Sequence, residues 1–173
     1  MSEEPTLQQL IRTLDQALVA LGCTVPPPEL ERWAVEVHFA MSAGGRLFHT
    51  LDHVFELAEG LNPVQTLAAV FHDTIYLQVD GGLPRNLEQR LGDVVQDHLR
   101  FAHDPVAARV ATLFGVDEGE PLTHGPGTNE LLSAVFAARC LSGHVPDDVL
   151  LAVLACIELT IPFRPGDPAA SLE

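Results

Sequence analysis

Asn62-Pro63-Val64-Gln65-Thr66-Leu67-Ala68-Ala69-Val70-Phe71-His72-Asp73-Thr74-Ile75-Tyr76 reads as one helix carrying a chemical group near its end. Asn is a favoured helix cap, and Pro suits the first helical position, where a missing N–H leaves nothing unpaired. Leu67, Ala68, Val70 and Phe71 wrap the first side of the His72-Asp73 pair. A charged carboxylate in such a setting is costly unless it is paired or bound to a metal. The stretch therefore predicts a helix reaching about Tyr76 that carries His72 and Asp73.

Upstream, Arg46-Leu-Phe-His49-Thr-Leu-Asp-His53-Val54 falls in a predicted helix over about 47–60. At four residues apart, His49 and His53 would share one helix face, while His72 and Asp73 would point about 100° apart around theirs. Three histidines and an aspartate thus lie within 25 residues. Imidazole nitrogens with a carboxylate suit a divalent transition metal that keeps open coordination positions. The competing reading is a set of buried histidines satisfied by hydrogen bonds.

The rest of the chain also reads as helices. Leu7, Leu10, Ile11, Leu14, Leu18 and Leu21 recur at helical spacing over 5–22, and further helices are predicted at about 28–42, 86–102, 104–114, 128–142 and 146–160. Loops are predicted at 42–45, 80–84 and 115–127. No stretch alternates convincingly as a strand, and there is no internal repeat or separate linker. The expectation is a single all-α domain over 1–173, a bundle of about seven or eight helices.

Composition narrows the function classes. The 173 residues carry a net charge of −15 and no lysine, so the surface should repel nucleic-acid backbones and anionic membranes. An anionic substrate would need a local cation, which a bound divalent ion supplies. No apolar run is long enough to span a membrane, and the acidic start lacks the apolar segment of a secretory signal, so a cytoplasmic protein is expected. Cys23, Cys140 and Cys156 are widely spaced, odd in number and without any C-x-x-C, which argues against a disulfide framework or a structural zinc site. Leu150, Leu151, Val153 and Leu154 could form a homodimer face or simply pack in the core.

With these residues in view, the chain resembles the HD superfamily of metal-dependent phosphohydrolases, well over about 46–76 and loosely elsewhere. Arg46-x-Phe-His49-Thr-Leu-x-His53-Val54 is similar to the Y-H-x-x-x-H signature of its predicted phosphohydrolases, with Phe48 in place of the usual Tyr. The resemblance implies that His53, His72 and Asp73 are metal ligands and that His49 protonates the leaving oxygen. It also implies a distant Asp that has no clear counterpart here. Asp117 lies in an irregular loop, and Asp147 and Asp148 read as first-turn acids complementing a helix dipole. Glu130 and Glu158 interrupt apolar helix faces and are better candidates; Gly127-Thr-Asn129-Glu130 and Ile157-Glu158-Leu-Thr resemble segments of HD-domain proteins. Three readings stay open: a Glu ligand, a lost ligand, or a C-terminally truncated form.

His98 and His124 follow His72 at successive intervals of 26 residues, a spacing compatible with the second metal of dinuclear members, including di-iron oxygenases. Arg46 could clamp a phosphate with its planar fork or pair with a carboxylate; Arg85 and Arg90 are weaker candidates. The expected function is hydrolysis of a nucleotide or another small phosphate ester, with manganese, magnesium, zinc, nickel, cobalt or iron as the divalent ion. His49, Asp73 and Arg46 would carry the catalysis. The alternatives are a metal- or ligand-binding HD module without turnover and a di-iron oxygenase.

Overall fold

A computed structural model describes residues 6–42, 45–95, 98–101, 103–121 and 127–162. They form α1 (Thr6–Ala20), α2 (Pro27–Met41), α3 (Leu51–Ala58), α4 (Pro63–Phe71), α5 (Leu77–Asp80), a 3₁₀ turn (Arg85–Leu87), α6 (Glu88–Leu91), α7 (Pro105–Phe114), α8 (Thr128–Leu141) and α9 (Asp147–Glu158). Among the described residues, extended pairing is limited to isolated bridges, so the protein is all-α as expected. It has two single-turn helices, α5 and α6, beyond the expected bundle.

The bundle is built around α4 and α8. Helix α4 packs on α1, α3, α8 and α9, and α8 on α4, α6, α7 and α9. Residues Leu131 to Ala138 of α8 are all buried, Ser133 included. A helix apolar on every side belongs inside a bundle rather than on its surface. Phe71 and Phe136 meet edge to face at 5.8 Å and join the two inner helices. By contrast α1 buries the single stripe Leu10, Leu14, Ala17 and Leu18. Of the apolar face weighed for a dimer, Leu150, Val153 and Leu154 are buried in this chain's own core.

The start of α4 follows its sequence. Asn62 Oδ1 accepts the Gln65 N–H at 3.0 Å, and Gln65 Oε1 accepts the Asn62 N–H at 3.3 Å, closing a capping box ahead of Pro63. Its end does not: the helix stops at Phe71, not near Tyr76. Beyond it, the Ile75 N–H donates to Ser133 Oγ at 3.1 Å and the Leu77 N–H to Asn129 Oδ1 at 3.1 Å. Side chains of α8 thus satisfy donors that would otherwise continue the helix.

Two more expectations are corrected. The segment expected as a helix from 47 begins only at Leu51, capped by an extended Thr50, because Arg46 is drawn away to other partners. The helix expected over 86–102 ends at Leu91. There the Leu99 N–H donates to the Glu120 carbonyl at 2.8 Å and the Gly119 N–H to the Leu99 carbonyl at 3.0 Å. Arg139 holds Asp93 at 2.8 Å and Asp104 on either side of this stretch. The apolar residues Val94, Leu99 and Phe101 are still buried, but in an irregular path.

Candidate metal centre

His53 comes from the first turn of α3, His72 caps α4, and Asp73 sits one residue beyond it. Each offers one ligand atom, and these atoms lie within 4.8 Å of one another. His49 is not on the His53 helix, correcting the shared-face expectation. It lies in the bent segment leading to α3, yet its ring centroid is 6.2 Å from that of His53. Its Nδ1 lies 2.6 Å from Asp73 Oδ2, the oxygen that His72 Nε2 approaches at 2.8 Å.

The hydrogen-bond partners define His72. Nδ1 faces the Ala69 carbonyl at 2.9 Å, and a carbonyl only accepts, so Nδ1 carries hydrogen. Nε2 then points its other face at a carboxylate oxygen. Two lone pairs cannot approach this closely without a cation, either a proton or a metal ion, between or beside them. Ligand atoms ~2.1 Å from a common metal stand about 3 Å apart, close to the 2.8 Å between His72 Nε2 and Asp73 Oδ2, with the His53 ligand atom within 4.8 Å of both. The Nδ1–H bond to a carbonyl is also the outer support that metal-binding imidazoles commonly have. The donor set therefore fits a divalent ion.

Charge is balanced accordingly. Burial disfavours the Asp73 carboxylate, but the hydrogen bonds and charges of His72 and His49 outweigh it and hold its pKa at about 2. Burial likewise disfavours the His72 imidazolium, yet Asp73 and the Ala69 carbonyl raise its pKa above the ordinary value.

The cluster lines a cleft of about 480 Å³, shared with Tyr76, Gln78, Gly127, Asn129, Glu130, Thr160 and Pro162. The chain matches no family model, no curated protein and no solved structure.

Glu130 does line this cleft, but the converging set among the described residues is His53, His72 and Asp73. Burial raises the Glu130 pKa, and the Asp73 charge adds to the rise, against opposing backbone N–H groups. Glu158 is half-buried at the end of α9 and does not line the cleft. His98 is exposed, bridges to Pro121, and is absent from the cleft lining. His124 lies outside the described residues. Asp117 and Asp147 are exposed, the latter 3.4 Å from Arg109.

Arg46 requires a correction. It was a candidate phosphate clamp, but it is buried behind the cluster. Its guanidinium donates to Asp80 Oδ1 at 2.9 Å and Oδ2 at 2.5 Å, to the Asp73 carbonyl at 2.6 Å and to the Thr74 carbonyl at 3.0 Å. It secures the backbone that aims Asp73 and has no free face toward the cleft. Arg90 is engaged by Glu36 at 3.1 Å, and Arg85 is exposed outside the cleft.

The sequence reading missed Tyr76, whose ring stands edge-on to His49 with centroids 4.8 Å apart. It also missed Asn129, which bonds the Leu77 N–H and donates to Gln78 Oε1 at 2.8 Å. Their partners lie far off in sequence, 52 residues for Asn129 with Leu77 and 51 with Gln78, and no local signal marks them.

Proposed function

We propose that the protein is a metal-dependent phosphohydrolase acting on a nucleotide or another small phosphate ester. The observation that carries this reading is the convergence of His53, His72 and Asp73 on the wall of an open cleft, with His49 on the same carboxylate oxygen. The resemblance of residues 46–76 to the HD superfamily points the same way. His53, His72 and Asp73 would hold a manganese, magnesium, zinc, nickel, cobalt or iron ion, which when bound supplies a polarised phosphoryl oxygen and a water of pKa near ~7.

The chain's own residues supply the proton chemistry. With Nδ1–H donated to Asp73, His49 is oriented so that protonated Nε2 can serve the ester oxygen. The water oxygen bonds to phosphorus, giving up its proton to solvent, as the ester P–O bond breaks. The released electron pair stays on the alcohol oxygen, which takes the His49 proton. Tyr76 restricts the His49 ring from its edge, and Arg46 acts as a positioning residue through the Asp73 backbone.

Metal analysis of the purified protein, combined with a panel of nucleotides and phosphate esters, tests this reading. Stoichiometric divalent metal and turnover are expected; a protein that binds none of these ions would refute it.

One observation favours a second reading, a metal- or ligand-binding module without turnover: no fourth ligand joins His53, His72 and Asp73 among the described residues. Stoichiometric metal with no turnover across the panel would select it. The exposed position of His98 lends no support to a di-iron oxygenase. No helix among the described residues is long and apolar enough to cross a membrane.

A further inference from the structure

A second hollow, of about 300 Å³, adjoins the metal cleft and shares His72 and Thr160 with it. Its walls are Leu57 from α3, Leu61, Ala68 and Ala69 from the α4 region, and Cys156 and Leu159 from α9 and its end. Leu57, Leu61 and Leu159 are 41%, 38% and 71% exposed. Apolar surface left open beside polar ligand-holding groups is the arrangement of a binding pocket that places one polar end of a ligand.

The polar groups on this wall are largely engaged within the fold. Gln65 Oε1 accepts the Asn62 N–H, the Thr160 hydroxyl donates to the Ile157 carbonyl at 2.7 Å, and His72 Nδ1–H serves the Ala69 carbonyl. A nucleobase or sugar buried here would leave much of its own hydrogen-bonding edge unpaired, which is penalised heavily. An alkyl or aryl group would lose nothing.

We propose that this hollow receives the apolar alcohol portion of the substrate, so that the ester handled at His53, His72 and Asp73 is the phosphate of an apolar alcohol rather than a nucleotide or sugar phosphate. This rests on the hydrolase reading above. The shared His72 makes it specific: a phosphate at the cluster and a hydrocarbon in the hollow would be contiguous parts of one molecule.

The test uses the full chain and the series methyl, butyl and hexyl phosphate, with affinity measured by calorimetry with and without Mn²⁺. Each methylene buried should tighten binding about 2- to 4-fold. Cys156 is a built-in reporter, being part-exposed on the hollow wall while Cys23 and Cys140 are buried. Hexyl phosphate should slow its alkylation, read by peptide mass, and methyl phosphate should not. Leu159→Gln and Leu57→Gln change exposed side chains and so keep the fold. Each should weaken hexyl phosphate binding several-fold and leave methyl phosphate unchanged. A flat series, unprotected Cys156, or a hexyl advantage untouched by both variants overturns the proposal. A clear chain-length gain without turnover of any ester refutes the hydrolase reading and leaves the hollow as an apolar site. Turnover of nucleotides with a flat series does the reverse.

Discussion

Replacing Arg46 by Ala should strongly destabilise the protein. The side chains of Arg46 and Asp80 are 1% and 3% exposed, so their ion pair is fully inside the bundle. Removing one member of a buried pair costs about 3–5 kcal/mol, because the other charge is left without a counter-charge. The Asp73 and Thr74 carbonyls would lose their donor too, and an orphaned buried acceptor adds about 1 kcal/mol or more. A loss of about 4–6 kcal/mol would consume much of an ordinary domain stability of ~5–15 kcal/mol. Arg46→Leu combined with Asp80→Leu leaves no buried charge, so the double variant should be at least ~2 kcal/mol more stable than the two single losses together imply. Urea unfolding followed by circular dichroism measures all three variants. An Arg46→Ala loss below ~1 kcal/mol, or strictly additive losses, would refute the reasoning.

Other outcomes follow from the same structure. His72→Ala and Asp73→Ala should each abolish stoichiometric divalent-metal binding by calorimetry, whereas His49→Ala should retain metal and lower turnover about 10²–10⁴-fold, as expected for loss of a general acid. Ser133→Ala removes the acceptor of the buried Ile75 N–H and should cost about 1–3 kcal/mol in urea unfolding. Arg139 holds the pKa values of Asp93, chiefly by hydrogen bonding, and of Asp104, against its burial, below the ordinary 3.8. Folded values lower than unfolded ones stabilise the protein at neutral pH, and that stability is lost as the pH falls through 3.8 toward the folded values. Urea midpoints between neutral and acid pH should therefore fall less steeply in Arg139→Gln than in the parent protein.

Local patterns made much of this fold legible. The α1 stripe, the Asn62-Pro63 start of α4, the Asp104-Pro105 start of α7 and the apolar runs of α8 and α9 all stand within a residue or two of their expected bounds. Each depends on near neighbours: 3.6-residue periodicity, caps, and proline at a helix start. The errors came where distant partners outbid the local preference. Residues 92–95 and 98–101 leave the helix because the 117–121 loop offers backbone partners and Arg139 takes the flanking aspartates. Residues 47–50 stay outside the helix while Arg46 reaches Asp80 and the carbonyls after α4.

The same division holds at the site. The sequence alone determined an all-α chain and singled out His49, His53, His72 and Asp73, because the residue types that can share a divalent ion are few and here stand close in sequence. Only the tertiary structure decided that Arg46 is a buried brace, that Tyr76 and Asn129 belong beside the cluster, and that Glu130 faces it while His98 does not line the cleft. It also set an apolar hollow against His72. These depend on which side chains of separate helices face one another, a matter of three-dimensional packing that no local pattern encodes.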